Sequence, residues 1–340
     1  MAKAIRRTLL VPEIVFVDGL SGSGKTALLM AVSSLKRVEM SRFEHIYEYA
    51  CALEHVGRIS SDATDVLLQI HIDLACYNTM ISRSVNFRPG DSSSVLNSPI
   101  RNQYLSRLFE TDGQDVFSRI KKNKPIMNIM THQVLGISQP LFRALGKKMS
   151  LIEIRRDPLQ MVTAWFNYID RFGADPMELS ICIDYKGHDL PWFALGWEEK
   201  YLSLNTMDRS IKSIDHLIGL ADKQYHILDA NNQKQCLIIY FEEFVTNPDP
   251  YMKQVEKLLG TESSVDTSRI LNDQNIPRRI SMDIPDQKDF ARYGFIRSKA
   301  DSESDALNQQ WGFVKKYATD EGIRCMERLH EEYHTNKGQK

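Results

Sequence analysis

A glycine-rich segment near the amino terminus carries the residues best suited to chemistry. It runs from Gly19 to Thr26 and has the spacing G-x-x-x-x-G-K-[ST]. Its glycines let backbone N–H groups converge on a phosphate, and a following helix directs its positive end at the same oxygens. Lys25 adds a mobile positive charge, and Thr26 adds a hydroxyl for a phosphate oxygen or a metal ion. We therefore predict a phosphate-binding loop made of Gly19, Ser21, Gly22, Ser23, Gly24, Lys25 and Thr26.

Short apolar runs predict the elements that must hold this loop in place. Four of them have strand length and lack alternation, which is typical of strands buried on both faces. They span residues 14–17, 126–130, 151–154 and 237–240. Helix-like stretches lie between them, at residues 25–36, 139–145, 159–171, 211–230 and 250–259. We predict a three-layer α/β fold, with a central, mainly parallel sheet flanked by helices.

The length favours one large domain. With 340 residues and 42% hydrophobic content, residues 1–340 can form a single domain with a substantial core. A helical and irregular insertion is predicted at about 40–124, and a lid followed by a helix at about 273–335. The irregular middle of the insertion, at 82–94, is either a substrate-side loop or a surface excursion without a ligand.

Composition excludes several classes of partner. The chain has 43 basic and 44 acidic residues, so no overall positive field attracts nucleic acid or acidic lipid. Its five cysteines are scattered, without the spacing of a metal site, and are expected to be free thiols of a reducing compartment. No apolar run reaches the roughly 18 residues of a membrane span. We predict a cytoplasmic protein without a metal site, and its oligomeric state stays open.

A second candidate site follows the apolar run at 151–154. Residues 151–166 read Leu-Ile-Glu-Ile-Arg-Arg-Asp-Pro-Leu-Gln-Met-Val-Thr-Ala-Trp-Phe. This resembles the sulfotransferase element in which a strand ends in Arg-(Asn/Asp)-Pro and a helix begins. The resemblance implies that Arg156 binds the 3′-phosphate of PAPS, the sulfuryl donor. The family's serine eight residues later falls on Ala164, with Thr163 beside it as a substitute. Alternatively, Arg156 is a surface residue paired with Asp157 or Glu153.

A histidine follows the apolar run at 126–130. The sequence Met130-Thr-His resembles the Lys-Thr-His of cytosolic sulfotransferases, with methionine in place of lysine. The resemblance implies that His132 is the general base that deprotonates an acceptor hydroxyl. Its ordinary pKa lies near neutrality, and the end of a parallel strand is where ligands of such sheets bind. The alternative is a structural, hydrogen-bonded histidine.

Two later segments complete the resemblance. Residues 236–260 look like the family's late strand and the helix after it, ending at Gly260, a predicted helix cap. The Arg-Lys-Gly segment that closes the donor site in the family is not evident. Arg297 and Lys299 are the nearest substitutes, unless they are simply solvated charges.

The leading interpretation is transfer of a sulfuryl group from PAPS to a hydroxyl or amine of an unidentified acceptor. His132 and Lys25 are then the catalytic residues. Because the loop has the full form typical of ATP and GTP enzymes, an ATP-dependent kinase is the alternative. In that case Thr26 holds Mg²⁺, with Asp18, Glu242 or Glu243 completing the metal site or acting as base. A nucleotide-binding protein without catalysis is the third interpretation.

The sequence does not identify the acceptor. Four aromatic residues are candidates for the lining of its pocket, although such spacing is also typical of a core. They are Trp165, Trp192, Phe193 and Trp197.

Overall fold

The central sheet has five parallel strands. The computed structural model describes residues 2–91, 93–174, 179–278 and 302–337. The strands are β1 (Glu13–Asp18), β2 (Arg42–Phe43), β3 (Ile126–Met130), β4 (Met149–Arg155), β5 (Cys182–Tyr185), β6 (His188–Pro191) and β7 (Cys236–Tyr240). The sheet has the order β2-β3-β1-β4-β7, and β5 pairs with β6 in a separate antiparallel hairpin.

Helices connect the strands. They are α1 (Lys25–Ser33), α2 (Ile46–His55), α3 (Ser61–Thr79), α4 (Arg101–Arg107), α5 (Gln114–Asn123), α6 (Gln139–Leu145), α7 (Pro158–Arg171), α8 (Glu198–Ser203), α9 (Thr206–Ile227), α10 (Ala230–Gln233), α11 (Phe241–Thr246), α12 (Pro248–Leu259), α13 (Thr267–Asp273), α14 (Glu303–Tyr317) and α15 (Asp320–Lys337). Within the described ranges, none of them combines the length and apolarity needed to cross a bilayer.

Both faces of the sheet are buried. On β1, Ile14 and Phe16 point into a core shared with α2, α3, α7 and α9. Val15 and Val17 point to the opposite face, where α1, α11 and α12 pack. Strands covered on both sides need apolar residues at every position, which explains the unbroken apolar runs. The predicted three-layer α/β fold is therefore confirmed.

Four of the five sheet strands coincide with the predicted runs. The fifth, β2, has only two residues, too few for any pattern. The predicted helix at 211–230 begins earlier, at Thr206, because Asn205 accepts a hydrogen bond from the N–H of Asp208 and caps the helix there.

The predicted insertion at about 40–124 lies within the described residues, whereas most of the predicted lid does not. Residues 40–124 contain β2 and the helices α2 to α5, and the irregular stretch lies between α3 and α4. The predicted lid falls largely on residues 279–301, outside the described residues. After that gap, α14 packs on α7, and α15 packs on both α7 and α9. The division of the chain into one domain with these additions stays a prediction.

Replacement of Gly24 by alanine should destabilise the fold. Gly24 has φ +89°, and an added Cβ would lie 2.2 Å from the ring of Phe241. We expect Gly24→Ala to lower the free energy of unfolding by about 2–4 kcal/mol, the sum of overpacking and the left-handed backbone. Urea unfolding measures this loss.

The matched control is Gly57→Ala. Gly57 also has a positive φ, +70°, but nothing lies within 4 Å of an added Cβ. Gly57→Ala should lower the free energy of unfolding only by the cost of the left-handed backbone, about 1–2 kcal/mol. Equal losses in the two variants would contradict the importance of the Phe241 contact.

Candidate active site

The predicted phosphate-binding loop lies between β1 and α1, the position that its sequence predicts. Lys25 is the first residue of α1, and Gly24 precedes it in a left-handed conformation. At the other end of the loop, Gly19 has φ +141°, and an added Cβ would lie 2.4 Å from the Ile154 carbonyl oxygen. Both ends of the loop therefore need glycine, because each combines a positive φ with no room for a Cβ atom.

Four successive carbonyl groups of the loop accept hydrogen bonds from side chains. The pairs are Lys25 Nζ with Gly19 (2.7 Å) and Leu20 (2.8 Å), Trp165 Nε1 with Ser21 (3.0 Å), and Arg156 Nη1 with Gly22 (3.0 Å). These bonds come from α1, from α7 and from the end of β4. They fix the conformation of the loop by tying it to three elements of the fold.

The Lys25 side chain is buried. Burial lowers the pKa of its ammonium group to about 8, although Asp18, Glu48 and Glu153 oppose this shift. Lys25 therefore still carries its charge at neutral pH.

Asp18 connects the loop to the segment that follows β3. It ends β1 and is fully buried. One carboxylate oxygen accepts from Thr131 Oγ1 at 2.9 Å, and the other accepts from the Leu135 N–H at 2.8 Å. These bonds fix the turn on which His132 lies. Next to it on β4, burial and the neighbouring Asp18 raise the pKa of Glu153 well above its ordinary value.

His132 is paired with Glu48, a residue of α2. The Glu48 carboxylate accepts from the His132 N–H at 2.7 Å and lies 3.0 Å from Nδ1 of the ring. Burial alone would raise the pKa of Glu48, but His132 and His45 lower it to about 2. A carboxylate that stays ionised only accepts hydrogen bonds, so Nδ1 of His132 carries the proton. Sequence reasoning missed Glu48, because no local motif marks it.

Phe43 contacts His132 and also lines a cavity whose wall includes neither His132 nor Glu48. The ring of Phe43 lies 6.0 Å from that of His132, measured between centroids. Phe43 also lines a cavity of about 200 Å³, together with residues of the irregular stretch such as Ser84, Val85 and Asn86. Phe43 is therefore the residue that connects the irregular stretch to His132.

Arg156 is not the surface residue of the alternative interpretation. Its side chain is 7% exposed, and its guanidinium lies 4.7 Å from the centre of the Phe241 ring. Its Nε is 3.9 Å from a Glu242 carboxylate oxygen. Besides holding the Gly22 carbonyl, Arg156 lines a cavity of about 60 Å³, which is too small for a nucleotide.

The other predicted donor residues are only partly brought together. Thr26 lines a cavity of about 730 Å³ whose wall also includes Asn97, Arg101 and Arg269. Neither Arg156 nor Thr163 is part of that wall. Thr163 instead donates to Gln310 of α14 at 2.8 Å. Arg297 and Lys299 lie outside the described residues.

The acidic residues proposed for a kinase are engaged elsewhere. Both oxygens of Asp18 accept hydrogen bonds from the turn after β3. Glu242 accepts from the hydroxyl of Tyr333, and Glu243 accepts from that of Tyr251. These contacts compete with a metal ion for the same carboxylates.

Most of the aromatic candidates for the acceptor pocket belong to the core. Trp165, Trp192 and Phe193 are at most 6% exposed, and Trp165 supports the phosphate-binding loop. Trp197 is half-buried and donates to the Phe193 carbonyl at 2.8 Å. Packing therefore accounts for these residues.

Comparison with known proteins gives structural neighbours only. No protein-family model matches the chain, and no curated protein sequence matches it. A sulfotransferase domain of the curacin biosynthetic pathway matches with a TM-score of 0.45 and 12% identity, over 94% of this chain and 98% of that one. One from the olefin synthase of Synechococcus PCC 7002 has a TM-score of 0.42 and 12% identity, over 94% and 100%.

A mouse sulfotransferase in complex with PAP matches with a TM-score of 0.36 and 12% identity, over 98% of this chain and 87% of that one. These structural neighbours are sulfotransferases. They belong to the family that the sequence motifs resemble. TM-scores below 0.5 carry no weight for activity or ligand, so function rests on the site's own geometry.

The Glu48–His132 pair should make the free energy of unfolding depend on pH in the acid range. The pKa of Glu48 is lowered from an ordinary 4.5 to about 2. Its contribution is therefore fully present above about pH 4.5 and is lost as the pH falls toward 2. Glu48→Gln, which cannot ionise, should remove up to about 3 kcal/mol of this dependence.

Chemical unfolding at pH 5 and pH 3 measures the part of this effect that lies between those values, about 2 kcal/mol. Glu327→Gln, a change at an exposed residue of α15, is the control and should keep the wild-type slope. A Glu48→Gln protein with the wild-type acid dependence would contradict the predicted ionisation of Glu48.

Proposed function

We propose that this protein transfers a sulfuryl group from PAPS to a hydroxyl or amine acceptor. The observation that carries the proposal is the His132–Glu48 pair at the carboxyl edge of the sheet, near the buried Lys25. A general base, an oriented carboxylate and a phosphate-binding loop then serve one reaction. In that reaction the acceptor atom forms a bond to sulfur, and the bond between sulfur and the bridging phosphate oxygen breaks.

His132 takes the acceptor proton. Because Nδ1 carries a proton toward Glu48, Nε2 is the basic nitrogen of the neutral ring. Glu48 also stabilises the imidazolium that forms after the transfer, as an ionised carboxylate beside a positive ring. The histidine is thereby held in the tautomer that a general base requires.

Lys25 and the loop stabilise the leaving phosphate. The Lys25 ammonium now binds two loop carbonyls, and a phosphate above the loop offers it stronger, charged acceptors. The N–H groups at the start of α1 add positive field at the same place. A cavity of about 730 Å³ at Thr26 has the size of a nucleotide site.

The acceptor is expected in the smaller cavity lined by Phe43. Its volume of about 200 Å³ suits a small group or one end of a larger molecule. Phe43, which is 47% exposed, offers an apolar surface beside the base. The acceptor group would then lie between this ring and His132.

The hydrogen bonds made by Asp18, Glu242 and Glu243 favour sulfuryl transfer over phosphoryl transfer. A sulfuryl group carries less negative charge than a phosphoryl group, so amides and fixed cations can serve without a metal ion. A kinase needs acidic residues for Mg²⁺. Asp18, Glu242 and Glu243 are all occupied by hydrogen bonds within the protein.

Removal of the base should slow turnover without affecting donor binding. We expect His132→Ala to lower the rate of PAP formation by about 10²- to 10⁴-fold, the usual contribution of a general base. The rate is measured with PAPS and a panel of hydroxyl and amine acceptors, and donor affinity is measured by calorimetry.

His188→Ala is the control for this variant. His188 is exposed on β6, in the antiparallel hairpin that is separate from the central sheet. Its removal should leave turnover largely unchanged. If His132→Ala keeps its rate and loses thermal stability instead, His132 is structural.

The donor can be identified before any acceptor is known. We expect PAP, which has a 3′-phosphate, to bind more tightly than AMP without Mg²⁺, by about 1.5–3 kcal/mol. Arg156→Ala should remove this difference if Arg156 reads the 3′-phosphate, as the sequence resemblance implies. Isothermal calorimetry of both nucleotides measures it.

Lys25→Ala serves as the comparison in this experiment. It should weaken PAP and AMP alike, by about ten- to a hundredfold, because it removes a charge from the loop itself. Equal affinity of the wild type for PAP and AMP would oppose the PAPS assignment. ATP binding that depends on Mg²⁺ would support the kinase instead.

A further inference from the structure

Three side chains that the proposed reaction does not use converge at the start of α7. Asp157 caps this helix, and its carboxylate accepts from the Leu159 N–H at 3.0 Å. His330 and His334 lie four residues apart on α15, so they share one face of that helix. Their ligand atoms and that of Asp157 all lie within 4.8 Å of one another.

The geometry of the group differs from that of a simple ion pair. The Asp157 Oδ2 atom lies 2.8 Å from His330 Nδ1 and 3.4 Å from His334 Nε2. Yet His330 Nδ1 is buried without a hydrogen bond of regular geometry among the described residues. The nitrogen is therefore close to the carboxylate but not aligned with it. Such an arrangement is expected when both groups point toward a common third position.

The 3.4 Å between Asp157 Oδ2 and His334 Nε2 matches the separation of two ligands of one metal ion. Ligand atoms about 2.0–2.1 Å from a tetrahedral zinc ion stand about 3.3 Å apart. Two imidazole nitrogens and one carboxylate oxygen are donors that zinc and similar divalent metals accept. Asp157 is 4% exposed, and burial of its carboxylate favours a compensating positive charge.

We propose that Asp157, His330 and His334 bind a divalent transition-metal ion of the zinc class. The bond from Leu159 to the other oxygen of Asp157 orients the carboxylate, as outer partners of metal ligands commonly do. Three protein ligands leave a fourth position for water or an exogenous ligand. His334 is 50% exposed, which gives the ion a path from solvent.

The ion links the carboxyl-terminal helix to the phosphate-binding loop. Asp157 directly follows Arg156, whose guanidinium holds the Gly22 carbonyl of the loop at 3.0 Å. Metal binding fixes α15 against the first turn of α7 and thereby restricts the backbone next to Arg156. This inference does not depend on which group the enzyme transfers.

Calorimetric titration of the chelator-treated full chain with Zn²⁺ tests the site. We expect one ion per chain and a rise in the melting temperature, because the folded state alone assembles the three ligands. His334→Gln should weaken Zn²⁺ binding by at least about tenfold and reduce the rise in melting temperature accordingly. The half-exposed position of His334 makes this change compatible with folding.

His226→Gln is the matched control. His226 is an exposed histidine on α9, with its Nδ1 2.6 Å from the Asp222 carbonyl oxygen, and its removal should leave Zn²⁺ binding unchanged. A Co²⁺ titration adds a spectroscopic test, in which we expect absorption from nitrogen and oxygen ligands without a thiolate charge-transfer band. Absence of binding, equal affinity in His334→Gln, or a thiolate band from one of the five cysteines would overturn the proposal.

Discussion

The burial of one ammonium group constrains the whole site. Lys25 lies at the first turn of α1, where its charge is removed from water and its pKa falls to about 8. Charges in such a place need partners, and the partners come from different elements. The carbonyls of Gly19 and Leu20 bind the ammonium directly, while Asp18 on β1 and Glu48 on α2 favour its charged form. The order of the parallel strands is what brings these groups to one edge.

The carboxyl edge of the sheet also holds the groups that the proposed reaction uses. Asp18 contributes to the field around Lys25 and, through two hydrogen bonds, holds the turn that carries His132. Glu48 contributes to the same field and lies 3.0 Å from Nδ1 of His132. In the proposed reaction, Lys25 and His132 are therefore influenced by the same two carboxylates, Asp18 and Glu48.

The opposite side of the loop has a separate support. Arg156 and Trp165 bind the carbonyls of Gly22 and Ser21, and α15 closes over the start of α7. The proposed metal ligands lie at this contact, one residue from Arg156. If an ion binds there, the carboxyl-terminal helix and the loop respond to the same ligand. The helix and the loop are linked because Asp157 and Arg156 are adjacent in the sequence, so no long-range pathway is required.

The sequence by itself determined the parts of this protein that depend on neighbouring residues. Four apolar runs predicted four strands, because burial on both faces requires apolar residues throughout. The position of the loop between β1 and α1 was predictable because its glycines, Lys25 and Thr26 lie within one short segment. Only the tertiary structure decided which distant groups meet, including Glu48 with His132 and Asp157 with two histidines of α15. The His-x-x-x-His spacing was a signal for the latter, but its third ligand comes from another element. Such contacts depend on strand order and helix packing, which local patterns do not encode.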